Sequence, residues 1–271
     1  MYGVLLAFKD YKFNLGILGS PWVGLKYFET FLTDSYFYII LKNTLAISLL
    51  KLICGFPAPI LFALMINEVT HVKYKKVVQT LSYLPHFVSW VVVISLMQKL
   101  FSPYNGIVND IRQMINPEAE AIFYLGEPAY FYPMVVGSDI WKGVGWGSIV
   151  YLAALTNIDP TLYEAADIDG AGRTAKIFRI TLPCLYPTIG ILLIMSLSGI
   201  LNAGFDQIYL MQKPSTLSMS EVLDTYVLKR GIQGGQFAYS TAVGLFKSVI
   251  SMILIVVVNG VCRRLGDISL W

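Results

Sequence analysis

The sequence predicts an all-α integral membrane protein, a polytopic bundle of helices. Of its 271 residues 56% are apolar and only 14% are charged, against about 25% charged in an ordinary soluble domain. Mean hydropathy is +0.63, and apolar runs long enough to cross a bilayer recur along the chain. A soluble chain this apolar could not cover its surface with charge, which excludes a disordered protein, a secreted disulfide scaffold and a free nucleic-acid-binding domain. Cys54, Cys184 and Cys262 are scattered and odd in number, so they read as reduced and incidental. His71 and His86 lie far apart without ligand spacing, so no metal site is expected.

A hydrocarbon core about 30 Å thick needs roughly 20 apolar helical residues. Five stretches qualify: Leu45 to Ile66, Leu81 to Phe101, Met134 to Leu155, Leu185 to Phe205 and Thr241 to Cys262. A β-barrel would alternate apolar and polar residues, whereas runs such as VISMILIVVVNGV are apolar on every side. Pro57 and Pro59 interrupt the first stretch, and Gly143, Gly145 and Gly147 line the third. Membrane helices tolerate both where neighbours re-satisfy the backbone or approach closely.

Basic residues set the orientation. Lys73, Lys75, Lys76, Arg173, Lys176, Arg179, Arg263 and Arg264 fall in the loops 67–80 and 156–184 and in the tail 263–271, and the other, longer loops are less densely basic. The tail 263–271 is therefore expected in the cytoplasm and residues 1–44 outside, flanking a transmembrane domain over 45–262. Five spans put the termini on opposite faces, and the start MYGVLLAFKDYKFN has neither a signal peptide nor an easy way across. A sixth span preceding the chain is expected on that ground. The stretch HVKYKKVVQ reads as a basic cytoplasmic surface helix.

The loop between the third and fourth stretches, within 157–184, carries the strongest helix signals. Asp159 can cap a helix with Pro160 at its first position, and Leu162, Ala165 and Ala166 then fall near one face. Gly170 stops it. A second helix is expected from about Gly172 until Pro183 ends it, with Ile177 and Ile180 on one side and Arg173, Lys176 and Arg179 on another. Acidic Glu164, Asp167 and Asp169 in the first arm and basic residues in the second would let a charged partner read the hairpin directionally.

Glu164-Ala165-Ala166, three residues, Gly170, nine residues, Ile180, one residue and Leu182-Pro183 resembles the EAA loop of binding-protein-dependent ABC importer permeases. The stretch EAADIDGAGRTAKIFRITLP resembles the maltose-type sugar branch. MYGVLLAFKDY, GSPWVGLKYF, GFDQIYLMQ, DTYVLKRGI, STAVGLFKSV and the final SLW extend the resemblance to the oligosaccharide subgroup over nearly the whole chain. It implies the type I importer permease fold and a subunit that is not itself an enzyme and carries no cofactor. ATP and Mg would sit on a separate ABC ATPase dimer, and a second permease would complete the pathway in a bacterial cytoplasmic membrane. An extracytoplasmic binding protein would deliver a di- or oligosaccharide.

In that scheme Glu164, Ala165, Ala166, Asp167 and Gly170 contact the ATPase, the alanines permitting close approach and Gly170 a tight turn. Ile180, Leu182 and Pro183 rather anchor the second helix. A rigid helix here would pass the closing motion of the ATPases to the adjoining spans.

Ionisable residues inside a bilayer are costly and mark candidate pathways. Lys51, Lys99, Asp139, Lys142 and Lys247, with Asn202, fall in the half opposite the EAA loop, as an outward-opening cavity requires. Snorkelling accounts for Lys99 equally. Asp139 and Lys142, three apart, either pair with each other or meet sugar hydroxyls while Trp146 or Trp141 stacks on the ring. Phe205, Asp206 and Gln207, with Asn202 a turn away, form a second polar and aromatic group with loop capping as the alternative. The aromatic outer segments 1–35 and 206–238 either anchor in the interface or form a docking platform for the binding protein, rimmed by Lys229 and Arg230.

Two other classes fare worse. A secondary transporter should show inverted repeats and a central carboxylate, and a membrane enzyme paired carboxylates or a nucleophile with a histidine; neither pattern is found. Within the importer class, a non-sugar cargo is the main rival.

Overall fold

A computed structural model gives the architecture. It describes residues 2–266, with side chains through Arg263; most of the expected cytoplasmic tail and the terminal Ser-Leu-Trp lie outside the described residues. We number the main helices in chain order: α1 Lys26–Thr33, α2 Phe37–Asn67, α3 Val72–Phe87, α4 Trp90–Leu100, α5 Ile107–Ile115 and α6 Pro128–Thr156. They continue with α7 Pro160–Ile168, α8 Arg173–Ser198, α9 Phe205–Met211, α10 Leu223–Val227 and α11 Phe237–Gly266. An isolated antiparallel bridge joins Lys9 to Trp22.

Helices α2, α8 and α11 are long and apolar enough to span a membrane, and α3 with α4 makes a fourth candidate if they are one span bent by 99°. Helix α6 has 29 residues, about 43 Å at 1.5 Å per residue, but Asp139, Lys142 and its glycines dilute its apolarity. All five expected stretches are thus helical, and two differ from expectation in shape. The second is broken at Val88, which is extended (φ −76°, ψ 132°). The fourth ends at Ser198, because a turn from Gly199 to Asn202 and the left-handed Gly204 (φ +97°) stop it before Phe205. Asn202 therefore sits in a turn, and Phe205 opens the separate helix α9.

Prolines are absorbed by widened turns. Pro57 and Pro59 lack the N–H groups that would bond the carbonyls of Ile53 and Gly55, and a π-helical turn over Lys51–Gly55 precedes them. Another such turn, Ile177–Thr181, precedes Pro183, where the Leu182 N–H reaches back to the Ile177 carbonyl. Pro183 therefore does not end the second arm of the loop, contrary to expectation. The arm runs without interruption into the span as α8.

The chain folds into two compact units. In the unit formed by 1–49, 90–135 and 198–254, Phe31, Ile40, Leu201, Leu223, Tyr226, Tyr239 and Val243 form the core. The Asn43 amide donates to the carbonyls of Ser218 and Glu221 (2.9 and 3.1 Å), and the Leu223 N–H donates to the Thr44 hydroxyl (3.0 Å). In the unit formed by 50–89, 136–197 and 255–271, Ile60, Ala63, Leu64, Tyr151, Leu155 and Leu185 make the core.

Candidate functional site

The loop between α6 and α8 folds largely as its residues dictate. Asp159, extended at φ −61°, accepts the Thr161 N–H at 2.9 Å and caps α7, and Pro160 occupies the first turn. That bond holds the Asp159 carboxyl below its ordinary range. The helix stops at Gly170, whose φ of +71° is the left-handed conformation, while the Ala171 N–H reaches the Ala166 carbonyl at 2.8 Å. A Cβ at Gly170 would meet nothing within 4 Å. Backbone conformation, not space within the chain, is what asks for glycine there.

The hairpin is stiffened across its two arms. Lys176 forms an ion pair with Asp167, and the Tyr163 and Thr181 hydroxyls bond at 2.9 Å. Asp167 and Lys176 thus answer each other, which weakens the directional charge pattern expected of the two arms. Glu164 and Ala165 are exposed and Ala166 is half-buried. On the two arms Leu162, Ile168 and Phe178 are 45%, 87% and 63% exposed, apolar side chains that spacing alone did not single out beyond Leu162. Ile180, Leu182 and Pro183 are half-buried, and Leu182, with Ile158 and Ile177, packs on the core around Leu64 and Leu155. The hairpin therefore has an exposed tip and a root fixed among α2, α6 and α8.

The polar residues of α6 find partners on other helices of the same unit. The Lys51 ammonium lies 2.9 Å from Asp139. Lys142 donates to the carbonyls of Pro85 (3.4 Å) and His86 at the end of α3. Trp146 stacks flat on the His86 ring, with centroids 4.6 Å apart and planes 4° from parallel, and meets Phe87 edge-on at 5.6 Å. Asp139 and Lys142 share a helix face as expected, but each reaches across to another helix. Trp141 is half-exposed.

In the other unit, Asn202 and Phe205 line a cavity of about 600 Å³ together with Asp224, Phe237, Ser240, Thr241 and Lys247. Lys247 and Asp224 form an ion pair, and Phe205 stacks on Tyr209 at 5.5 Å. Gln207 is fully buried and donates to the Val135 carbonyl at 2.7 Å, while Asp206 is exposed and does not line the cavity. Asp224 escaped the sequence reading because it lies outside the apolar stretches. The signal was Lys247: an ionisable residue in an apolar helix requires a partner.

The aromatic segments 1–35 and 206–238 also come together. A second cavity of about 510 Å³ is lined by Asp10, Tyr27, Asp34, Tyr226, Arg230 and Tyr239, among others. The Tyr226 hydroxyl donates to Asp34 at 2.8 Å and meets the Tyr239 hydroxyl at 2.9 Å. Burial pushes Asp34 up, but the Tyr36 N–H, the Tyr226 hydroxyl and the Arg230 charge outweigh it and leave the carboxyl below its ordinary range. Burial and the bond to Asp10 push Tyr27 up to about 12. Lys229 pairs with Glu221 at 2.7 Å. Among the described residues no group of His, Cys, Asp and Glu could hold a metal ion.

Residues 55–266 match the family model described as "Binding-protein-dependent transport system inner membrane component". The chain is 44% identical over 267 residues to the polygalacturonan/rhamnogalacturonan transport system permease protein YteP of Bacillus subtilis strain 168, covering 98% of this chain and 83% of that protein. It is 44% identical over 271 residues to protein LplB of the same organism, covering 100% of this chain and 85% of LplB. Among solved structures, a bacterial alginate ABC transporter in complex with an alginate pentasaccharide-bound periplasmic protein matches with a TM-score of 0.91 at 41% identity, covering 99% of this chain and 88% of the other.

Proposed function

The chain belongs to the family of binding-protein-dependent transport system inner membrane components, and from that premise we propose that it forms, with a second permease, the pathway of an ATP-driven ABC importer for an oligosaccharide. The observation that carries the cargo class is the 44% identity to a polygalacturonan/rhamnogalacturonan permease across 98% of the chain. The fold likeness to an alginate importer supports it. The subunit hydrolyses nothing; ATP and Mg belong to an ABC ATPase dimer docked on the cytoplasmic side of the bacterial cell membrane.

The loop and the C-terminus face that side and residues 1–44 the other. The exposed tip of the hairpin, Glu164, Ala165, Ala166 and Gly170 with Leu162, Ile168 and Phe178, seats in the ATPase. Asp167 and Lys176 keep the tip rigid, and Ile180, Leu182 and Pro183 fix its root. When the ATPases close on nucleotide, a stiff tip with a packed root moves as one piece with α8. Cargo enters from a binding protein docked on the outer segments. Asn202 and Phe205, with Asp224, Ser240, Thr241 and Lys247, supply the paired polar groups and aromatic face that a sugar ring uses. Asp206 and Gln207 follow Phe205 on α9, where Gln207 ties the helix to the Val135 carbonyl.

The test is ATPase activity of the purified assembly in lipid discs, with its partner subunits, as binding proteins loaded with different oligosaccharides are added. Stimulation by one loaded binding protein is expected and would name the cargo. Stimulation only by a non-saccharide ligand would overturn the cargo class, and absence of any ATPase association would overturn the importer reading.

A further inference from the structure

Helix α3 ends inside a stretch expected to span the membrane. Its last carbonyls lack the donors that a continuing helix would supply, although the Val88 N–H reaches the Pro85 carbonyl at 3.2 Å, and they form the negative end of its dipole. In an apolar medium each unanswered carbonyl costs several kcal/mol. Three positions on α6 meet this end. Lys142 donates to the carbonyls of Pro85 and His86. Gly145 lies so near that a Cβ there would fall 2.0 Å from the Ser82 carbonyl oxygen. Trp146 stacks on His86. The cation, the missing side chain and the ring stand at i, i+3 and i+4 on one helix and all meet the final turns of another.

We propose that Lys142 is a positioning residue that caps the broken end of α3 from the neighbouring helix, and that this cap holds α3 and α6 in register in one access state and must be released to reach the other. The inference rests on the importer reading and assigns Lys142 and Trp146 to this contact in place of the cargo. A charge-assisted bond to a carbonyl is strong enough that its loss shifts a two-state balance about tenfold or more. An arginine can make the same pair of bonds, a methionine of similar length neither.

The experiment compares Lys142→Met and Lys142→Arg in the reconstituted assembly by two readouts: ATPase activity without binding protein, and sugar moved per ATP hydrolysed. Lys142→Met is expected to raise the unstimulated rate about tenfold and lower sugar per ATP, with Lys142→Arg close to the native protein. A merely structural lysine would lower the yield of assembled complex and leave both readouts unchanged per assembled complex, which would overturn the proposal. If Lys142→Met does not assemble, hydrogen exchange in the native complex decides. Amides of 82–90 should exchange faster on adding ATP and loaded binding protein, and identical exchange in both conditions would overturn the cap. A native complex whose ATPase ignores every loaded binding protein would instead refute the importer reading, a separate outcome.

Discussion

Two ion pairs that each anchor a lysine of an apolar helix invite comparison. Lys51 and Asp139 sit where helices press together: Gly55 lies against Ile140, and Gly147, two turns along α6, lies against Pro59. Lys247 and Asp224 sit on the wall of a cavity of about 600 Å³. The charges are the same and both pairs are partly exposed, Asp139 by 36% and Asp224 by 27% of the side chain; the setting differs, close helix packing around the first and a cavity wall for the second. An ionisable residue in a membrane helix thus signals a partner before it signals cargo, and a pair on a cavity wall is placed to meet a ligand.

Replacing both members of each pair would break or sharpen this distinction, and gives the largest effects. Removing one partner alone should destabilise either site by stranding a charge, by less than the ~3–5 kcal/mol of a fully buried pair because the carboxylates are partly exposed. Lys51→Met with Asp139→Leu should restore both thermal stability and uptake. Lys247→Met with Asp224→Leu should restore stability but leave uptake at background. Recovery of uptake in the second double variant would remove the cavity from the pathway.

Close packing is tested next, by melting temperature in detergent. Gly145→Ala must push the Ser82 backbone away and should cost about 1–3 kcal/mol, whereas Gly143→Ala, with nothing within 4 Å, should melt like the native protein. Of similar size is Gly170. A tryptophan there strains the left-handed turn by about 1 kcal/mol and protrudes outward, so membrane insertion should persist while the ATPase no longer co-purifies. A smaller effect is expected from Asn202→Ala, which should raise the apparent KM for uptake severalfold without moving the melting temperature. The smallest concerns Asp159. Its carboxyl titrates below the usual value near 3.9, so its cap is present at all higher pH and lost only as pH falls through that lowered value. ATPase co-purification should accordingly be flat from pH 7 down to about 5; a fall in that window would place another titrating group at the tip.

The helical stretches, the Asp159–Pro160 start of α7 and the turn at Gly170 were all legible, because each is a local property of consecutive residues. The break at Val88 was not, since neither Val88 nor Ser89 is a breaking residue and the contacts that stabilise it come from Lys142 and Trp146, far along the chain. The same distance hid the partners of Lys51 and Lys247. The early end of α8 had a local signal in Gly199 and Gly204, masked by the apolar residues around them. Pro183 misled in the opposite sense, because a π-helical turn lets the chain accept a proline and carry on.

That turn has a further consequence. Ile177–Thr181 holds one residue more than an α-helical path would need, so it sets the phase between the arm that follows Gly172 and the span beyond Pro183. Deleting one residue there would leave an ordinary α-helical path with the flanking phases kept and Leu185 and Ile194 still buried, whereas forcing α-helical bonding with the extra residue in place would turn every later side chain of α8 by about 100° about its axis. The wide turn thus stores the extra residue without disturbing the faces on either side of it.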